Sequence, residues 1–329
     1  MSKNSENSII HKTSVGGQAL IEGIMMMGPK GAAVSVRLPD GTIDTEEKQV
    51  NHVRDRIKFL GWPIIRGCVN FIESMIFGYK CLMLSAEKSG LEDMDKSGEN
   101  MSKLDKWLTD HLSKKVMSAI TGIASVLGIL LAFALFFWLP TKIADLVNNA
   151  SGGAITNFRA LIEGVMRMVI FVSYIAAVSL MKDIRRTFMY HGAEHKTIFC
   201  YEKGLELTVE NVRKQIRFHP RCGTSFMFVI IIISVIISSC ISVAFPNLRD
   251  NVAVWMLVKL LILPIVMGFG YEFIKYAGRH DNLFVKILSA PGLWMQRLTT
   301  KEPDDSMIEV ALAAFKAVIT DNPEDDAIK

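Results

Sequence analysis

Four long apolar segments constrain this chain more than any other feature, because a bilayer core of roughly 30 Å is crossed by about 20 apolar helical residues. Residues 116–139 form an uncharged run ending in FALFFWLP, with Trp138 placed as an interfacial anchor. Residues 161–181 form a second, in which Glu163 and Arg167 stand four apart on one helix face and can pair. Residues 226–245 are rich in Ile and Val and carry no charge, and residues 252–271 include Lys259 and a Pro264 that predicts a kink. Half of the 329 residues are apolar, which agrees with a chain that offers apolar surface to lipid. The expected fold class is mainly α: a polytopic membrane helix bundle of about four transmembrane helices, with a small N-terminal β-hairpin and interfacial amphipathic helices.

Orientation follows from the basic residues of the short flanks. Lys103, Lys106, Lys114 and Lys115 precede the first span, whereas Lys142 and Arg159 alone follow it. The 182–225 connection holds nine Lys and Arg residues, the loop between spans three and four only Arg249, and the tail again Lys275, Arg279, Lys286 and Arg297. This alternation places both termini and the central connection on the cytoplasmic side of the plasma membrane. The polar start MSKNSENSIIHKTS has no apolar core of a cleaved signal peptide. A net charge of +4 is too small and too dispersed to argue for nucleic acid, and none is expected as a partner. The five cysteines are odd in number and scattered, so they do not form a disulfide framework.

Outside the spans, residues 32–48 read as a hairpin, AAVSVRL and TIDTEEK about a Pro39-Asp40-Gly41 turn. Gly16-Gly17-Gln18 reads as a flexible turn before a helix beginning ALIEG, and Gly28-Pro29-Lys30-Gly31 as another turn. Residues 61–88 have helical spacing but too many charges to cross a membrane, which fits an amphipathic helix in the interface. Residues 89–106 read as a polar linker. LFVKILSAPGLWMQRLTT is again interfacial, with a break at Pro291-Gly292, and the segment after Pro303 opens on an Asp cap into a soluble amphipathic helix. ALIEGIMMM at 19–27 is echoed by ALIEGVMRM at 160–168 without further extension, so it does not indicate duplication. The resulting segments are 1–60, 61–115, 116–181 (spans one and two), 182–225, 226–277 (spans three and four) and 278–329.

The chemistry concentrates in His191-Gly-Ala-Glu194-His195. On a helix, His191 and His195 lie one turn apart on one face, where two imidazoles bind one metal ion, and Glu194 is close enough to act as general base. The pattern H-x-x-E-H is the inverted zinc-peptidase arrangement. His219-Pro-Arg-Cys222 precedes span three, while Glu272 and His280 follow span four, so a third ligand can come from His219, Cys222, His280 or Glu272. Three readings compete: surface histidines near headgroups, a closed structural zinc site with His219 and Cys222, and an open catalytic site. Glu22, a carboxylate in an apolar stretch, is a further catalytic candidate, with a capped or paired structural role beside it. Met25, Met26 and Met27 read as packing residues.

GGQALIEGIMMMGP, YHGAEHKTIFCYE, HPRCGTSF and PGLWMQRLTTKEPDD resemble the bacterial YqhQ-like proteins, a domain-of-unknown-function family, over nearly the whole chain. The resemblance implies a multi-pass membrane protein and a metal-dependent enzyme. It points to Glu22, His191, Glu194, His195, His219, Cys222 and His280, with Met27 standing where arginine is expected. The expected function is a membrane-embedded enzyme dependent on zinc or another divalent metal, a hydrolase at the cytoplasmic face. Its partners would be membrane lipids and a membrane-associated peptide or lipid substrate, and an oligomer is compatible with the sequence. The alternative is a non-enzymatic assembly or transport factor with a structural metal site, in which Glu163, Arg167 and Lys259 line a path.

Overall fold

The computed structural model describes residues 11–50, 57–90, 114–280 and 282–328. The chain divides into two compact units, one of residues 1–89, 175–230 and 264–329 and one of residues 90–174 and 231–263.

The first unit is built on a four-stranded antiparallel sheet in the order β1 (Gly16–Leu20), β2 (Gly23–Gly28), β3 (Gly31–Arg37), β4 (Ile43–Lys48). The expected β3–β4 hairpin is present, with Arg37 opposite Ile43 and the Asp40 carboxylate accepting from the Thr42 N–H at 2.9 Å. The expected ALIEG helix is not: Ala19 and Leu20 pair with Ile24 and Gly23 across a turn at Ile21-Glu22. The small hairpin is therefore half of a larger sheet.

The reason is that this sheet is covered on both faces. Ile24, Met26 and Ala33 belong to the core shared with helices α5 (Lys182–Glu202) and α10 (Asp305–Val318). Leu20, Met25, Ala32, Val34 and Val36 form the other core, with Cys81 of helix α1 (Ile65–Lys88). A strand buried on both sides reads as a continuous apolar run, without the alternation that marks a strand with one wet face. Met25 and Met26 are packing residues, as expected. The helical spacing of 61–88 gives α1, which buries Gly67, Gly78, Cys81 and Ser85 and exposes Ile72, Met75, Ile76, Tyr79 and Met83. The Asp cap is also found: Asp304 accepts from the Met307 N–H at 3.0 Å at the start of α10. Helix α9 (Leu283–Thr299) runs unbroken through Pro291, so the expected interruption at Pro291-Gly292 is absent. The expected 89–106 linker lies mostly outside the described residues.

Among the described residues, four helical stretches are long and apolar enough to cross a membrane: Gly122–Ala150, Arg159–Val178, Met227–Ala244 and Val252–Arg279. The first joins α2 (Lys114–Phe133) to α3 (Leu139–Ala150) through a π-helical turn at Ala134–Trp138. That turn lets Pro140, which cannot donate to the helical ladder, sit inside a continuous helix where the sequence suggested an end. The others are α4 (Arg159–Val178), α7 (Gly223–Ala244) and α8 (Val252–Arg279), the last running through Pro264. The short helix α6 (Val209–Arg213) follows α5. In the second unit Gly164 of α4 meets Val235 of α7 so closely that an added Cβ would lie 2.1 Å from a Val235 methyl.

Candidate metal centre

Helix α5 sets the frame of the site. Its HGAEH stretch brings the His191 and His195 rings to 4.4 Å between centroids, as the one-turn spacing requires. From the segment before α7, Cys222 places its Sγ 3.2 Å from His191 Nε2. Ligand atoms of His191, His195 and Cys222 all lie within 4.8 Å of one another. Zn–N and Zn–S bonds of roughly 2.1 and 2.3 Å in a tetrahedron put ligand atoms about 3.5 Å apart, so little contraction is needed.

Both imidazoles are oriented by their outer nitrogens. His191 Nδ1 donates to the Thr299 carbonyl at 2.9 Å, and His195 Nδ1 to the Arg217 carbonyl at 2.6 Å. A proton fixed on Nδ1 leaves the lone pair on Nε2, turned inward, which is the support that metal-bound histidines carry. Among the described residues His195 Nε2 is buried with no hydrogen-bond partner. Burial also lowers the His195 pKa, helped by nearby His191, so its neutral, ligand-competent form is favoured at pH 7. The Cys222 thiol adds a soft donor, and two imidazoles with one sulfur suit zinc. An orphaned buried nitrogen and a converging N, N, S donor set fit a bound divalent ion.

Glu194 lines the same cavity and is buried, with Oε2 lacking a partner among the described residues. Burial pushes its carboxyl up to about 7; Cys222 adds to that rise, while His191 and the Gly17 N–H oppose it. Two glycines make these approaches possible. A Cβ on Gly17 would stand 3.2 Å from the Glu194 carboxyl carbon and 2.5 Å from the Met25 carbonyl oxygen. A Cβ on Gly192 would meet the Lys301 carbonyl oxygen at 2.1 Å. Gly192 thus admits the strap after α9, whose Lys301 N–H donates to the Phe188 carbonyl at 2.8 Å and which begins at Thr299, the His191 acceptor.

The remaining sequence candidates are held elsewhere. His219 is buried with Nε2 3.6 Å from Glu202, and its ring lies 5.6 Å from that of His195. Gln296 fixes its backbone from both sides, accepting from the His219 N–H and donating to its carbonyl, each at 2.7 Å. Glu202 in turn pairs with Arg221 and accepts from the Thr13 N–H at 2.9 Å. Glu272 is taken by a two-pronged Arg66 contact at 2.7 and 2.5 Å. His280 is exposed and stacked on Tyr276 at 4.1 Å. Glu22 is gripped by Arg186 and accepts from the Tyr190 hydroxyl at 3.1 Å, while its backbone holds a φ of +49° in the turn between β1 and β2. A non-glycine residue there is uncommon, and the side-chain grip goes with the paired role rather than the catalytic one. Of the four third-ligand candidates, the structure brings Cys222 alone to the histidine pair among the described residues.

Sequence reasoning missed Gly17, Gln296, Glu202 and the Thr299 and Arg217 carbonyls. Backbone acceptors carry no side-chain signature, and the Gly17 signal was present only as a glycine pair before a misread segment.

The site opens into a cavity of about 1200 Å³ whose walls are mainly apolar, with Val15, Phe71, Ile198, Met227 and Ile274 among them and Lys275 and Arg279 on the α8 side. Residues 62–321 match the family described as "Protein of unknown function (DUF1385)". The chain is 33% identical over 306 residues, 92% of each chain, to the uncharacterized protein YqhQ of Bacillus subtilis (strain 168). The resemblance drawn from the four motifs is thereby borne out. No solved structure matches the chain.

Proposed function

The chain belongs to the DUF1385 family of proteins of unknown function, and within it we propose a membrane-embedded, zinc-dependent hydrolase working at the cytoplasmic face. The observation that carries this reading is the convergence of His191 Nε2, His195 Nε2 and Cys222 Sγ beside a buried Glu194 with an unpartnered oxygen. Three protein ligands leave the open position that catalytic zinc sites keep and closed structural sites lack. The engagement of His219 with Glu202 favours this open site over a four-ligand one.

When bound, the metal supplies Lewis acidity toward water and toward a carbonyl or phosphoryl oxygen. Glu194, buried beside the ligands with an unpartnered oxygen, is placed to take the proton from the attacking water and return it to the leaving group. The Thr299 and Arg217 carbonyls hold both imidazoles in the ligand tautomer throughout. The apolar cavity receives a membrane-associated peptide or a lipid. Four membrane crossings, with both termini and the 182–225 connection cytoplasmic, agree with the basic flanks. The exposed apolar face of α1 then lies in the interface.

The test is the metal content of the detergent-purified chain, wild type beside a His191→Ala/His195→Ala variant. Near-stoichiometric zinc lost in the variant is the expected result. No bound metal in either would move the reading to a non-enzymatic assembly or transport factor.

A further inference from the structure

The second unit holds a group of buried charges that the metal chemistry does not use. Glu163 is 4% exposed and is approached by three cations. Arg167 Nη2 donates to it at 2.9 Å, Lys259 Nζ is paired with it, and Arg249 Nη2 stands 3.8 Å away. Nearby, Arg159 pairs with Asp145. Four cations thus share two paired carboxylates, and a buried charge without a partner is costly.

The surplus is localised. Lys259 is satisfied by Glu163 and by the Thr141 hydroxyl at 2.5 Å. Arg167 is satisfied by Glu163, the Ser234 hydroxyl at 2.9 Å and the Phe136 carbonyl at 3.0 Å. The two outer arginines are only partly so, Arg159 through Asp145 and Arg249 through the longer Glu163 contact. Arg159 Nε, Arg249 Nε and Arg249 Nη2 are all buried without a hydrogen-bond partner among the described residues. The Arg249 side chain is 8% exposed and stacks on Trp255 at 4.6 Å, so its position is fixed.

These same two arginines line a cavity of about 320 Å³. Ser239, Ser242 and Asn247 supply hydroxyl and amide groups around it, the Thr156 hydroxyl being donated to the Gly153 carbonyl at 2.8 Å, and the exposed Asp250 is also among its lining. The volume is well above the roughly 30 Å³ that one water occupies. Two guanidinium residues from a cluster with more cations than carboxylates, together with the Ser239 and Ser242 hydroxyls and the Asn247 amide, make up a lining suited to a tetrahedral oxyanion. We infer that this cavity is a phosphate-binding site, filled by free phosphate or by the phosphate of an anionic lipid headgroup. Its lining comes from Thr156 and the start of α4, and from the end of α7 with the turn between spans three and four. In the topology proposed above, both of those regions lie on the non-cytoplasmic side.

The experiment uses the full chain in a zwitterionic detergent. Thermal unfolding is followed as inorganic phosphate is added, against chloride at equal ionic strength, and native mass spectrometry records anionic phospholipid retained through purification. Phosphate-specific stabilisation, with apparent affinity falling roughly ten-fold or more in Arg249→Gln, identifies free phosphate. Retained anionic lipid that is lost in the same variant identifies the headgroup. Should Arg249→Gln not fold, Ser239→Ala/Ser242→Ala carries the same comparison, since it removes two hydroxyls from the lining without touching the buried charges. Neither stabilisation nor retained lipid in wild type overturns the site, and so does an effect that persists undiminished in the variants.

Discussion

The two polar clusters of this protein are incomplete in opposite senses. Two imidazoles of α5 and the Cys222 thiol converge on one point, each imidazole fixed by a backbone carbonyl, an arrangement that could hold a cation. Around Glu163 the cations outnumber the carboxylates, and two of them, Arg159 and Arg249, also line a cavity. Preorganised neutral donors cost little to bury when their outer nitrogens are bonded, so the first cluster can stand ready in a packed core. Fixed charges cannot be neutralised by a choice of tautomer, so the second depends on its internal pairs.

The sharpest way to break that contrast is to remove the one carboxylate on which the second cluster turns. Glu163→Ala leaves Arg167, Lys259 and Arg249 facing each other in a buried place, and the expected cost is about 3–5 kcal/mol. Thermal unfolding in detergent should show little folded protein. A second change, Lys259→Met, should restore part of the stability by removing one of the stranded cations. Wild-type stability in Glu163→Ala would mean that the three cations do not depend on it.

Glu194→Gln probes the first cluster without disturbing its ligands. The amide has nearly the same shape, so zinc and fold should be kept while activity falls by roughly 10²- to 10⁴-fold. Elemental analysis and complementation of a deletion strain read the two quantities separately. Full complementation with bound zinc would reduce the centre to a structural one. Gly192→Ala should have a smaller, indirect effect. Its methyl would displace the Lys301 carbonyl, and with it the strap that begins at Thr299. Losing such an outer-nitrogen partner costs about 10- to 100-fold in metal affinity, measurable by competition with a chromophoric chelator. Unchanged affinity would mean that the Thr299 carbonyl does not tune His191.

The first cluster was far more legible in the sequence than the sheet against which it packs. His191, Glu194 and His195 lie within one helical turn, so their convergence follows from the period alone, and Cys222 was one of four open choices for a partner. Choosing among those four needed the contacts of the others: Arg66 on Glu272, Glu202 on His219, Tyr276 under His280. The stretch around Glu22 shows where periodicity fails. Ala-Leu-Ile-Glu-Gly forms a strand and turn at 19–23 and part of a helix at 160–164. The difference lies in tertiary context: the first copy lies beside IMMM, buried on both faces of a sheet, and the second on a span whose outer face is exposed. Arg249 was read only as a topological marker, because nothing local says that a loop arginine folds back onto Trp255.

The smallest expected effect tests whether the metal centre is insulated from the helix that covers its sheet. Asp304 caps α10, accepting from the Met307 N–H at 3.0 Å and from the Ser306 hydroxyl at 2.6 Å. Asp304→Ala removes the cap at a cost of about 1 kcal/mol, a shift of roughly 2 °C in thermal unfolding for a chain of this size. The segment between Thr299 and Asp304 carries the Lys301 contact to Phe188 and the Lys196–Glu302 ion pair, which anchor the strap independently of the cap. Zinc content and affinity should therefore stay at the wild-type level while the unfolding temperature falls. If affinity drops in step with stability, α10 and the strap move as one element, and the His191 acceptor is set by sheet packing rather than by its own contacts with α5.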